Sequence, residues 1–280
     1  MIIDAHHHFW LLSRGDYEWL APETGKLYRD FQPEDLNDDL SKSGISGTVL
    51  IQAAPTEAET HYLLEIADRW PKALGVVGWT DLTSQASHRR LEGLARHPML
   101  KGIRPMLQDE RDPDWILQSQ VSESLKIIQT LGLAFDALVR PRHLKSLALA
   151  TDRHPGLRIV IDHAGKPEIE KGEFDDWAMD IKALSERPNI FCKLSGLLTE
   201  AGSRTADNDL RPYIDHLLNC FGPRRLMWGS DWPVLLGKSG YSQWFDQAVR
   251  LTAELGTREK QWLFGRTAAA FYNIKIDHDR

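Results

Sequence analysis

The sequence predicts an α/β chain folded as a single (β/α)8 TIM barrel domain over residues 1–280, with an extra C-terminal helix. Three observations predict it. Eight short runs of β-branched and apolar residues recur along the chain. The stretch between successive runs is long enough for a crossover helix and carries a helical pattern. The length of 280 residues suits one barrel, which typically needs about 250. An open doubly wound sheet has the same alternation, but a glycine-rich phosphate turn would follow its first strand, where this chain has His6-His7-His8.

The first run, Ile2–His6, leads straight into those histidines. Strand alternation puts Asp4, His6 and His8 on one side and His7 on the other. An expression tag would be longer and lie outside the fold, whereas this cluster continues an apolar strand and is followed by Phe9 and Trp10. Residues 9–33 form the longest loop; over a barrel mouth it would act as a partial lid, with Trp10 in the pocket wall. Gly47–Ala53 is the second strand. The helix after it, Glu57–Trp70, shows Tyr62, Leu63, Ile66 and Ala67 at helical spacing and stops at Pro71. Leu74–Thr80 and Lys101–Met106 are the third and fourth strands. Asp114–Leu131 is helical by Ile116, Leu117, Val121, Leu125, Ile128 and Leu131, with Gly132 as its stop. Leu133–Val139, Arg158–His163, Asn189–Ser195 and Leu226–Asp231 complete the strands. Gln243–Leu255 repeats the helical style, and Arg258–Tyr272 is the additional C-terminal helix.

Composition narrows the function classes. The chain is 42% hydrophobic and 26% charged, ordinary for a soluble globular protein, and its net charge of −6 gives no basic footprint for nucleic acid. Cys192 and Cys220 have no CxxC spacing, which argues against a disulfide framework and a thiolate zinc site and fits a reducing compartment. No signal-peptide pattern and no apolar run of membrane-spanning length is present, so a cytoplasmic location without membrane partners is expected. Tryptophan is unusually frequent, at 10 residues, and Trp10, Trp79 and Trp232 follow strands, where indoles commonly meet flat or ring-shaped ligands.

Barrel active sites occupy the C-terminal ends of the strands. Those ends read His6/His8, Gln52, Trp79/Asp81, Arg104, Arg140, Asp162-His163, Lys193/Ser195 and Ser230-Asp231-Trp232. His163 follows Ile159 and Ile161 and is expected to face inward, with Asp162 outward. Asp231 follows Met227 and Gly229 on the inward face, and a buried carboxylate without a role is costly. Lys193 is expected either to touch substrate or to pair with a carboxylate; Arg104 is expected to clamp an anionic or hydroxylated ligand. His61, His88, His97, His143, His154, His216 and His278 fall in helices, loops or tails and are expected in solvent.

Taken together, Asp4-x-His6-x-His8-Phe-Trp, Lys101-Gly-Ile-Arg104 with Gln108-Asp-Glu110, Asp162-His163-Ala-Gly-Lys-Pro167, Cys192-Lys-Leu-Ser-Gly196 and Gly229-Ser-Asp231-Trp-Pro233 resemble the amidohydrolase superfamily. The likeness runs in order from residue 2 to residue 233 and is closest to the branch of sugar lactonases, such as L-fuconolactonase and L-rhamnonolactonase, and the pyrone-dicarboxylate lactonase. The superfamily's metal site takes the His-x-His pair, histidines from strands five and six and an aspartate from strand eight, often with a bridging lysine from strand four. His6, His8, His163 and Asp231 match that pattern. The fifth strand offers no histidine, His143 lying a few residues past it, which counts against a two-metal centre. The resemblance implies at most one zinc, held by His6, His8 and Asp231 with solvent, and no strictly required cofactor, because the branch includes members that work without metal. Pro105 stands where some sugar lactonases carry a histidine, a departure that points to a different substrate.

The activity so implied is hydrolysis of a sugar aldono-1,4- or 1,5-lactone to the hydroxy acid. Ester hydrolysis needs a nucleophilic water, an oxyanion stabiliser and a proton for the leaving alkoxide. Asp231 is expected to be the general base, and His6, His8 and His163 to donate to the carbonyl oxygen, directly or around a metal. Arg104, Gln52, Trp10 and Trp232 are expected to bind the ring and its hydroxyls. The alternatives are a zinc-dependent decarboxylase of the same superfamily and a noncatalytic sugar-acid binder. The expected partner is the small-molecule lactone, and a homo-oligomer is compatible with the chain.

Overall fold

Eight parallel strands lie side by side in chain order: β1 (Ile3–His7), β2 (Gly47–Ile51), β3 (Ala73–Gly78), β4 (Leu100–Ile103), β5 (Ala134–Ala137), β6 (Ile159–Ile161), β7 (Ile190–Leu194) and β8 (Leu226–Trp228). This is a computed structural model, describing residues 1–275. The last strand returns to the first through an isolated parallel pairing of His7 with Trp232. There His8 N donates to the Trp232 carbonyl at 2.7 Å and Asp231 N to the His6 carbonyl at 2.8 Å. The segments that close the barrel are therefore the ones that carry its candidate catalytic groups.

The helices of the outer layer are α1 (Pro33–Lys42), α2 (Glu57–Arg69), α3 (Ser87–Leu94), α4 (Ser119–Thr130), α5 (Leu144–Arg153), α6 (Asp175–Ser185), α8 (Asp207–Phe221) and α9 (Tyr241–Leu251), while the short α7 (Leu197–Glu200) lies in the loop after β7 at the barrel mouth. Helical crossovers of this kind bury a parallel sheet on both faces, which is why the strands read as largely apolar runs. Leu50, Val76, Ile103, Phe135, Ile159 and Ile161 pack in the layer beneath the helices. Ile3, Ala5, Val49, Ile51, Val77, Val160 and Met227 fill the barrel interior.

The extra C-terminal helix is present in three pieces: α10 (Thr257–Gln261), a π-helical turn over Trp262–Arg266, and α11 (Thr267–Phe271). Phe271 and Tyr272 join the interior cluster, and a Cβ on Gly265 would meet the Met1 carbonyl oxygen at 2.6 Å, so this segment caps the N-terminal end of the barrel. β2 to β8 are shorter than the apolar pattern suggests, because their ladders end before the apolar residues do, while β1 keeps its expected length one residue further on. The helix expected from Asp114 divides into a 3-10 turn, Trp115–Leu117, and α4. Among the described residues no helix is long and apolar enough to cross a membrane. His278 lies outside the described residues.

Candidate active site

The histidine strand does not alternate regularly. Its pairing with β2 shifts register between Asp4 and His7. Ile3 and Ala5 face the barrel interior, and Asp4 reaches the outer layer. Asp4 Oδ2 accepts from Tyr241 OH at 3.0 Å, and Oδ1 accepts from Ser230 N at 2.9 Å. Asp4 is thus a fastener of the β1–β8 seam instead of a neighbour of His6 and His8, and burial pushes its carboxyl up to about 6. After the shift His6 and His8 point toward Asp231, with His8 in the cavity lining and His6 fully buried beneath it. His7 faces away, 2.8 Å from Thr48 Oγ1, as expected.

The sixth strand has the opposite phase to the one expected. Val160 is inside and Ile159 and Ile161 are outside, so Asp162 follows Val160 inward. His163 also enters the pocket, because the strand stops at Ile161 and the backbone turns left-handed, with φ of 52° at His163, 55° at Ala164 and 54° at Lys166. Such conformations cost L-residues about 1–2 kcal/mol each, so the surroundings must hold them. Gly196 is part of that support: at φ 66° it leaves room for the imidazole, since a Cβ there would sit 2.4 Å from His163 Nδ1. Asp231 is likewise left-handed, at φ 59°, beyond the end of β8.

Three imidazoles meet one carboxylate oxygen. Asp231 Oδ1 lies 3.4 Å from His8 Nε2, 3.7 Å from His6 Nε2 and 3.8 Å from His163 Nε2. Burial alone would raise the Asp231 pKa, but the facing His163 and His8 outweigh it and hold the carboxyl below 3.8. Desolvation lowers His163 to about 4, and desolvation with the nearby Lys193 ammonium holds His6 well below its usual value, favouring neutral rings.

Beneath His6 lies a closed ionic network. Lys193 Nζ is 2.5 Å from Asp136 Oδ2, 2.9 Å from Asp162 Oδ1 and 3.1 Å from His6 Nδ1. Tyr272 OH donates to Asp136 Oδ2 at 2.6 Å. An ammonium has three hydrogens and no lone pair, so His6 Nδ1 accepts and the neutral ring carries its proton on Nε2. Burial would raise Asp162, yet Lys193 and His6 hold it well below its usual value. His8 Nδ1 faces the Ile51 carbonyl at 2.9 Å and so carries a hydrogen. Its Nε2 is a lone pair in the neutral ring and a second donor, aimed at Asp231, in the protonated one. His163 Nδ1 pairs with Ser195 Oγ at 3.0 Å; in the tautomer where the hydroxyl donates, Nε2–H faces the pocket.

Above this floor is a cavity of about 250 Å³, lined among others by His8, His163, Asp231, Arg104 and Trp19. Arg104 lines the cavity but is committed elsewhere: Nη1 is 3.3 Å from Asp162 Oδ2 and Nη2 donates to the Gln52 carbonyl. Gln52 is buried behind it, with Nε2 donating to the Arg104 carbonyl at 2.7 Å. Trp10 and Trp232 do not line the cavity. Trp10 is fully buried, donates to the Arg29 carbonyl at 2.7 Å and packs on Phe31; Trp232 packs on Phe9 and Phe31. The loop's contribution to the cavity is Trp19, whose indole donates to the Ala53 carbonyl at 2.9 Å. His143 and His154 are buried in the outer layer, against expectation, where they pair with Arg140 N and Ser122 Oγ.

Sequence reasoning missed Trp19, Asp136, Glu59 and the Lys166–Glu200 pair. Asp136 had a signal, as the one charged residue within an apolar strand. Glu59 had another, three residues after the Thr56 cap of α2; its carboxylate accepts from Ala53 N and Ala54 N and so fixes the loop beside the pocket.

The donor set suits a single zinc. Ligands on a tetrahedral zinc at about 2.0–2.1 Å stand roughly 3.3 Å apart. His6, His163 and Asp231 offer atoms within 4.8 Å of one another, and His8 Nε2 lies 3.2 Å from His6 Nε2. The mutually close group thus has His163 in the place expected for His8, which neighbours His6 but lies outside that group. Ligation through His6 Nε2 would move the ring proton to Nδ1, against the Lys193 ammonium, with Asp162 Oδ1 at 3.5 Å as the other acceptor.

Comparison with known proteins agrees with this architecture. The amidohydrolase family matches residues 3–274. An L-fucono-1,5-lactonase of Burkholderia ambifaria is 43% identical over 97% of this chain and 95% of its own length. An L-fucono-1,5-lactonase of Burkholderia multivorans is 35% identical over 97% and 96%. The crystal structure of a Burkholderia multivorans amidohydrolase with bound zinc superposes with a TM-score of 0.92 at 34% identity, covering 98% of this chain and all of that one.

Proposed function

The chain belongs to the amidohydrolase family, and on that premise we propose that it hydrolyses a sugar lactone, an aldono-1,4- or 1,5-lactone, to the open hydroxy acid. The observation that carries this reading is the convergence of three imidazole Nε2 atoms on Asp231 Oδ1 at 3.4–3.8 Å on the floor of a cavity of about 250 Å³. That size suits one small ring.

In this proposal Asp231, ionised and facing the cavity, takes a proton from water as the water attacks the lactone carbonyl carbon. His6 and His163, each with Nε2–H directed at the cavity floor, donate to the carbonyl oxygen as it becomes an oxyanion. Asp231 then returns the proton to the ring oxygen as the ester C–O bond breaks. His8 Nε2, 3.4 Å from Asp231 Oδ1, lines the cavity beside the base. A zinc held by His6, His163 and Asp231 would polarise the same carbonyl oxygen. Trp19 covers the mouth and limits access of bulk water.

The test is acid release, followed with a pH indicator, across a panel of aldono-1,4- and 1,5-lactones with and without chelator. The reading expects saturable turnover of at least one lactone, abolished in Asp231→Ala. Absence of turnover across the panel would overturn it.

A further inference from the structure

We propose that Glu200 sets the charge selectivity of this pocket: by neutralising Lys166 it leaves no free cation there, so the site rejects lactones that bear a carboxylate and lets go of the acid it makes. The inference rests on the lactone-hydrolysis reading and extends it. Hydrolysis changes the charge of the ligand in place, from a neutral ring to a carboxylate. A pocket with an unpaired Lys or Arg would hold the product more tightly than the substrate.

Each cation around the cavity is already committed. Arg104 spends Nη1 on Asp162 and Nη2 on the Gln52 carbonyl, and its remaining Nε, though without a partner, is buried out of reach of solvent. Lys193 is completely buried between Asp136 and Asp162. His8 and His163 face Asp231. Lys166 remains, and its Nζ lies 3.2 Å from Glu200 Oε1, with both side chains less than one-fifth exposed. Against these the lining carries Asp109, Glu200 and Asp231. Asp109 has no side-chain partner among the described residues, so the wall is negative wherever it is not balanced.

Local structure makes the pair deliberate in geometry. Lys166 ends the left-handed turn that brings His163 inward, and Glu200 ends α7, the short helix that Gly196 begins. The ion pair therefore ties the loops after β6 and β7 together directly beside the reacting centre. A carboxylate ligand could take Lys166 only by leaving Glu200 unpaired next to it, which costs what the new contact gains.

The test compares wild type, Glu200→Gln and Lys166→Met with a neutral aldonolactone, a lactone of the same ring size bearing one carboxylate, and the aldonate product as inhibitor. Wild type should hydrolyse the neutral lactone, discriminate strongly against the charged one and be inhibited weakly by aldonate. Glu200→Gln should tighten aldonate inhibition about tenfold and raise the relative kcat/KM for the charged lactone by a similar factor, as expected for one freed charge-assisted contact. Lys166→Met should move both quantities the other way or leave them unchanged. Calorimetric titration of aldonate into each protein gives the same comparison without turnover. Unchanged aldonate affinity and unchanged charge preference in Glu200→Gln would overturn the assignment. So would equal hydrolysis of charged and neutral lactones by wild type, while leaving the lactonase reading intact. Failure of wild type on every lactone would instead overturn that reading and this inference with it.

Discussion

The ammonium of Lys193 stands 3.1 Å from Nδ1 of His6, donates to Asp136 Oδ2 and is ion-paired with Asp162 Oδ1 at 2.9 Å. A lysine so placed fixes the tautomer of the histidine above it. It acts through His6 and is a positioning residue. Lys193→Met should lower kcat by one to two orders of magnitude, because His6 no longer presents a guaranteed Nε2–H, and should destabilise the fold by about 3–5 kcal/mol by leaving buried carboxylates uncompensated. The double variant Lys193→Met/Asp136→Asn should recover part of the stability, since Asp162 keeps Arg104, but not kcat. Kinetics with thermal denaturation of both variants checks this; joint recovery would make the role of Lys193 structural alone.

The same tautomer bears on metal. Protein stripped with a chelator should keep its kcat, because His6 and His163 can donate to the carbonyl oxygen without a metal. The nitrogen-15 resonances of His6 should report Nε2–H in the stripped protein. Loss of activity on stripping, restored by zinc, would show that the metal supplies the carbonyl polarisation.

Trp19 and Trp10 belong to one loop but should behave differently. Trp19 lines the cavity and is 39% exposed, so Trp19→Ala should raise KM and lower kcat with little loss of stability. Trp10 is fully buried, and Trp10→Ala should cost about 3–5 kcal/mol of stability. Steady-state kinetics and urea denaturation separate the two outcomes.

Glu59 predicts a pH dependence of stability. Burial pushes its carboxyl from 4.5 up to about 7, above its value in the unfolded chain. The folded state then binds the extra proton between those values, so this group's contribution is full below pH 4.5 and is lost as pH rises through about 7. The Tm of wild type should therefore fall relative to Glu59→Gln over that window. Parallel Tm profiles for the two proteins would contradict it.

The strands are legible in the sequence because a parallel sheet covered on both faces needs apolar runs, and the gaps need helices. The same double burial hides strand phase. Ile159-Val160-Ile161 is apolar on both faces, so nothing in it says that Asp162 turns inward. On β1 the register shift after Asp4 cannot be read from residue types, and it sends Asp4 outward while keeping His6 and His8 together. His163 and Asp231 reach the pocket through left-handed backbone, which only the surrounding packing specifies. Trp10 and Trp232 look like ring-stacking residues because large aromatics serve cores and ligands alike; here they fill the core under the lid. The histidine motif, Lys193 and the strand-end carboxylate are legible because charged or imidazole groups at the ends of apolar strands have few structural reasons to be there.

The central claim is that Asp231 activates water, and the kcat of Asp231→Asn tests it most directly. The substitution removes the charge with little change of shape. The account predicts a kcat loss of about 10²–10⁴-fold with aldonolactone binding retained, and a smaller loss for His163→Asn, since His6 still donates to the oxyanion. Near wild-type kcat in Asp231→Asn, with activity abolished in His163→Asn, would contradict it and make His163 the base.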